Sequence, residues 1–223
     1  MKRFFLPLVF FASTLGLLVY LGTWQLNRLA WKTAVLAEID AKLLGAPVAV
    51  PAQPSFATDQ FLPVTATGAI GPDEIHILAS VKKIGAGYRI ISRFDLGDRA
   101  VLLDRGFVAL TAKTAPRPMT QATITGNLHW PDEMNASTPN PDIAKNIWFG
   151  RDIAAMAKAL RTDPVLIVQR GSSEENLVTT PFPVTSEGIP NKHLEYVMTW
   201  YGLAIVWTIM SGYFLWKRRN YKK

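Results

Sequence analysis

The stretch FFLPLVFFASTLGLLVYLGTWQLN, Phe4–Asn27, carries no charge; Lys2 and Arg3 precede it and Arg28 follows it. A second uncharged run, YVMTWYGLAIVWTIMSGYFLW, covers Tyr196–Trp216, with Glu195 before it and Lys217, Arg218 and Arg219 after it. Each is long enough to cross a bilayer, which takes about 20 apolar residues in a helix. Two such runs at opposite ends decide the architecture. Residues 28–195 become a domain held to one membrane face by both of its ends.

Charge gives the expected orientation. The chain carries +7 from 24 Lys/Arg and 17 Asp/Glu. Lys2, Arg3, Lys217, Arg218, Arg219, Lys222 and Lys223 lie outside the runs, which leaves 17 basic against 17 acidic residues between Phe4 and Trp216. The basic excess is therefore juxtamembrane, and it does not point to nucleic acid. Basic flanks stay on the cytoplasmic side. Both termini are expected there, with residues 1–3 and 217–223 as tails and the central domain in the periplasm. Arg28 and Lys32 weakly oppose this orientation, and the basic residues after Trp216 outweigh them. Tyr20, Trp24, Tyr196, Trp200 and Tyr201 would form the outer aromatic belt, and Tyr213 and Trp216 the inner one.

A cleaved signal peptide is the rival reading of the N-terminus. Its apolar segment would be about 7–15 residues long and end at a small-x-small site. Here the segment is longer and runs into Leu21-Gly22-Thr23-Trp24, so an uncleaved anchor is expected. The chain has no cysteine, which excludes thiolate metal sites, thiol redox chemistry and a Cys nucleophile.

Beyond the first run, Leu29, Leu36, Ile39 and Leu43 keep a helical stripe, so the helix is expected to continue to about residue 44. Gly45 and Pro47 end it, and the proline-rich stretch 47–54 reads as a linker. Short strands are expected at residues 63–70, 74–79, 88–96, 100–110, 122–130 and 164–170. Gly71-Pro72-Asp73, Gly85-Ala86-Gly87, Gly97-Asp98-Arg99 and Pro116-Arg117-Pro118 separate them. Asp152 can cap a helix over residues 153–160, ended by Asp163-Pro164. The expected fold class is an α+β membrane protein. Two transmembrane helices, residues 4–27 and 196–216, flank a mainly β domain, a small sheet or barrel with at least one helix.

Catalytic patterns are absent: there is no phosphate-cradling Gly-rich loop, H-E-x-x-H or G-x-S-x-G. An enzyme is not expected. Asp104 and Asp132-Glu133 read as surface or turn carboxylates, and Asp104-Arg105-Gly106 as a bend with a local ion pair. His76 and His129 sit in strand patterns in phases that point them to solvent. His193 differs, because it stands at the start of the second span, where Asn191 is a candidate helix cap. An imidazole at the outer headgroup level, beside aromatics, suits ligation of a haem iron. The competing reading is an interfacial anchor at a helix start. Gln25 and Arg28, one turn apart on a helical face, lie at the same depth and could bond across to the second span.

Four stretches then resemble the Surfeit locus protein 1 family. Leu21-Gly22-Thr23-Trp24-Gln25-Leu26-Asn27-Arg28 with Trp31-Lys32 is similar to its L-G-x-W-Q-x-x-R-x-x-W-K signature. Val101–Val108 resembles V-L-V-N-R-G-W-V, with Asp104 and Phe107 where the family has Asn and Trp. Asn146–Asp152 with Met156-Ala157 resembles N-x-W-F-x-x-D…M-A. Pro190–Tyr196 with Thr199–Ala204 resembles P-N-x-H-x-x-Y…T-W-x-x-L-A.

The resemblance implies an assembly factor for haem-copper cytochrome c oxidase. Such a factor assists haem a insertion into the catalytic subunit or maturation of that subunit. It implies haem a as a transient cofactor, with His193 as the iron ligand. Trp24, Gln25, Arg28, Tyr196 and Trp200 would stand around it, and Arg28, Lys32 or Lys192 would pair with propionates. The implied partners are the oxidase catalytic subunit, haem a synthase and membrane lipid. With the span beginning at Phe4 and no mitochondrial presequence ahead of it, a bacterial inner-membrane protein is expected. The alternative is a haem-independent scaffold that stabilises an oxidase assembly intermediate.

Overall fold

The computed structural model describes residues 2–81, 84–175, 177–187 and 189–220, with side chains from residue 5 onward. The chain divides into two compact units, Met1–Glu38 with Ser186–Lys223, and Ile39–Thr185. The elements in chain order are α1 (Lys2–Leu43), β1 (Val48–Ala49), α2 (Phe56–Asp59), β2 (Pro63–Val81), β3 (Gly85–Asp95), β4 (Ala100–Ala109), β5 (Thr120–Leu128), α3 (Ile153–Leu160), β6 (Leu166–Ser172) and α4 (His193–Asn220). The fold is α+β, with an apolar helix at each end and a mixed sheet between them.

In the terminal unit α1 and α4 run antiparallel. Both are long and apolar enough to cross a membrane. Phe11 meets Trp207 and Phe214 edge-on at ring-centroid distances of 5.6 and 5.8 Å. The Trp207 indole donates to the Phe11 carbonyl at 3.1 Å. Further along, Gly22 lies under the Tyr201 ring, where a Cβ would sit 3.0 Å from it. The Thr23 and Tyr201 hydroxyls are hydrogen-bonded at 3.0 Å. A small residue that admits a large ring, with polar groups bonded across, is how helices associate where water supplies no drive.

In the central unit the sheet closes. The order β1-β2-β3-β4-β6-β5 is joined by a β2–β5 pairing, so β2, β3, β4, β6 and β5 form a five-stranded barrel. Val64, Ile70, Phe94, Val101, Leu103, Ile124, Leu128 and Ile167 fill its interior. The alternate residues Ile75, Ile77, Ile91, Leu102, Leu166 and Val168 form an outer cluster with Trp148 and, from α3, Met156, Ala157 and Leu160. Asp152 caps α3 by accepting from the Ala155 amide at 3.0 Å.

Several expectations are corrected. Residues 63–81 are one strand, not two, because Gly71-Pro72-Asp73 is absorbed by a register shift between Ile70 and Glu74. There β2 passes from β5 to β3. The stretch read as a linker holds β1, which pairs in parallel with Val64 and Thr65. Asp104 is no surface carboxylate; it is fully buried inside β4. His76 does not point to solvent, being 7% exposed and tilted against Tyr88. His129 is half-buried and stacked on Phe61 at 5.5 Å. Asn191 does not cap α4, since its Oδ1 has no hydrogen-bond partner.

Candidate functional site

The site residues expected from sequence all lie on α1 and α4. Gln25 is buried on the face of α1 toward α4. Its Oε1 is 2.8 Å from His193 Nδ1. A carboxamide oxygen can only accept, so Nδ1 donates, and in the neutral ring the lone pair is then on Nε2. A ring held at one nitrogen with the other left as a base is the arrangement of a metal-ligating histidine. The bond crosses from one helix to the other, so the tautomer depends on their packing.

The other expected residues are not drawn into this contact. Trp24 and Tyr196 are about half exposed, at 47% and 51%. Trp200 is half-buried. Arg28 does not bond across to α4; its guanidinium lies over the Trp31 ring, 4.3 Å from the centroid. Lys192 is exposed and Lys32 half-buried. The helix pair thus presents one hydrogen-bonded imidazole, exposed aromatic rings and cationic side chains.

Among its described residues the central unit holds at least three buried ionic groups that sequence reading missed. In the first, Asp104 Oδ2 accepts from Arg89 Nε at 2.5 Å and from Arg151 Nη1 at 3.5 Å. Arg89 also donates to the Phe182 carbonyl at 2.6 Å and lies over its ring. Arg151 grips Glu133 through Nε, Nη2 and its backbone amide. Burial pushes the Asp104 carboxyl up, against the pull of both arginines. In the second cluster Glu74 accepts from Arg117 Nε and Nη2 at 2.7 and 2.6 Å and from His76 Nε2 at 2.6 Å. Burial would raise Glu74, but these bonds outweigh it and hold its pKa at about 2. In the third, Arg105 Nη2 donates to Glu174 at 2.7 Å. The sequence signal was present: Asp104-Arg105 interrupts an apolar strand, where charge is affordable only if paired.

Among the described residues no group of three or more His, Asp or Glu side chains is placed to hold a metal ion. The central unit's clusters are carboxylates saturated by arginines, which suits rigidity better than proton transfer.

Comparison with known proteins agrees with the motifs. The SURF1 family model matches residues 12–205. Surfeit locus protein 1 of Rattus norvegicus is 26% identical over 211 residues, covering 82% of this chain and 67% of that protein. Surfeit locus protein 1 of Xenopus tropicalis is 27% identical over 232 residues, covering 91% and 72%. The SURF1-like protein of Rickettsia conorii is 28% identical over 226 residues, covering 92% and 89%. The match runs from within α1, through the whole barrel, into α4, and on it the chain belongs to the SURF1 family.

Proposed function

We propose that this chain is a membrane-bound assembly factor for haem-copper cytochrome c oxidase. It would hold haem a transiently between its synthesis and its insertion into the catalytic subunit. The observation that supports this is the Gln25–His193 bond. In the neutral ring it leaves the lone pair on Nε2 of a helix-start imidazole, on helices that also carry the rings of Trp24, Tyr196 and Trp200.

The residues present fit the group. His193 would hold the iron through Nε2, with Gln25 fixing the ring. Trp24, Tyr196 and Trp200 would cover the macrocycle, and Arg28, Lys32 or Lys192 would pair with its carboxylates. Haem a, when bound, would supply a redox-active iron. A single protein ligand, His193, would hold it less firmly than two, which suits a transient carrier. The partners would be the oxidase catalytic subunit, which receives the haem, and haem a synthase, which provides it. In this reading α1 and α4 span a bacterial inner membrane. The basic tails support an orientation with both termini in the cytoplasm and the barrel in the periplasm.

The test is to purify the wild-type and His193→Ala proteins from cells that make haem a, and to compare haem content and Soret absorption. The variant should lose most of its haem and shift the Soret band. Unchanged content and spectrum would remove His193 as the ligand and favour the haem-independent scaffold.

A further inference from the structure

We propose that the end of the barrel where β5 begins and β6 finishes is a binding site for a small oxyanion, a carboxylate or phosphate group, held by Arg105. A cavity of about 490 Å³ opens there, lined by Arg105, Arg117, Thr120, Gln121, Ser173 and Glu174 among others. Its size is that of small-ligand sites, which recur in the mouths of barrels.

Arg105 is 3% exposed, yet its Nε and Nη1 have no hydrogen-bond partner. A guanidinium buried with most of its donors idle is costly. This chain satisfies its other buried arginines. Arg117 has both Glu74 oxygens and the carbonyls of Ala112 and Lys113. Arg151 has Glu133 and Asp104. The idle donors of Arg105 therefore mark a place for an external acceptor. The barrel interior holds further idle groups. Ser92 and Gln169, on the strands flanking β4, are fully buried and share the inward phase of Phe94 and Ile167. Their side-chain polar atoms also have no partner.

The backbone around Arg105 is fixed in advance. Ile90 pairs with Gly106 and Ile91 with Asp104, so Arg105 is the extra residue of a β-bulge, a device that re-aims one side chain. Gly106 has φ +105°, and a Cβ there would lie 2.1 Å from the Thr180 carbonyl oxygen. Phe107 and Thr180 exchange two backbone hydrogen bonds, and the Thr179 hydroxyl donates to the Arg105 carbonyl at 2.8 Å. Glu174 shows which chemistry fits, since its carboxylate already sits on Nη2. Ser172 Oγ steadies it at 3.1 Å. An incoming oxyanion would share Arg105 with Glu174 and be repelled by it.

That repulsion sets the sign of the test. The full chain in detergent is titrated with acetate or inorganic phosphate, with chloride at matched ionic strength as reference. The readout is the Nε–H resonance of Arg105, assigned by its loss in Arg105→Lys. We expect a saturable shift with acetate or phosphate and none with chloride; the tighter of the two identifies the preferred group. Glu174→Gln should tighten binding at least about fivefold by removing the like charge. Arg105→Lys, which keeps the charge and loses the fork, should weaken it at least about tenfold, read in both proteins from the backbone amide of Gly106 beside it. An equal response to chloride, no saturation, or no tightening in Glu174→Gln would overturn the site. If Arg105→Lys does not fold, the Glu174→Gln arm decides alone, with the Arg105 resonance assigned through its backbone.

Discussion

At the scale of single residues, Gly68 shows what closing the barrel demands. It pairs with Ala122 on β5 while its neighbour Ala69 pairs with Asp95 on β3, so β2 is held from both sides there. A Cβ on Gly68 would lie 2.1 Å from the Asp95 carbonyl oxygen, a backbone atom that cannot swing away. Gly68→Ala should cost about 3 kcal/mol or prevent folding. Gly171→Ala, where a Cβ meets nothing within 4 Å, should stay within about 0.5 kcal/mol of wild type. Urea unfolding of the full chain in detergent, followed by tryptophan fluorescence, separates the two. His76 and Asp104 explain why parts of the central unit were not legible in the sequence. Alternation correctly set His76 apart from Ile75 and Ile77, which join the outer cluster. The opposite face was taken for solvent, but a closed sheet under a helix and long loops buries both faces. For the helix pair, Gln25 could be set level with the start of α4 from sequence, because it lies at the end of one apolar run and His193 just before the other. The tautomer of His193 could not, because it needs the packing of α1 on α4.

At the scale of elements, helix α3 was the most legible piece of the domain. An Ala-rich run behind an Asp carries its own start signal, and Asp152 does accept from the Ala155 amide. Arg161, in the left-handed region at φ 55°, ends the helix. Strand β2 was the least legible. Gly71-Pro72-Asp73 has the composition of a turn, yet proline is tolerated in a strand at a bulge, and β2 changes partners at that point. Which neighbour takes over is a long-range fact that no local pattern carries. For α3 the cap gives a direct test. Asp152→Ala leaves the Ala155 amide unpaired and should cost about 1 kcal/mol. Since α3 lays Met156, Ala157 and Leu160 on the outer cluster, amide exchange should speed up in its first turn before the strands loosen.

At the scale of the whole molecule, the half-buried ionisable groups tie the fold to pH. Burial and the nearby Arg151 charge push the His129 pKa down to about 4 from an ordinary 6.5. Gln60 Nε2 donates to its Nδ1, which suits a neutral ring. The folded chain therefore binds fewer protons at His129 than the unfolded chain between pH 6.5 and 4. Its stability is full above pH 6.5 and declines as the pH falls through that window. Glu74, held at about 2 by Arg117 and His76, acts lower down. Its contribution is full above 4.5 and is lost as the pH falls toward 2. The two groups titrate in separate ranges, so they can be told apart. The unfolding temperature followed by near-UV circular dichroism should drop between pH 6.5 and 4 in the wild type. His129→Gln should flatten that part of the curve and leave the steeper loss below pH 4.5 in place. Glu74→Gln should do the reverse, and it should also lower stability at pH 7 by leaving Arg117 without its carboxylate. A His129→Gln curve with the same slope as the wild type from pH 6.5 to 4 would mean that His129 takes up its proton in the folded chain without resistance, against its place between Phe61 and Gln60.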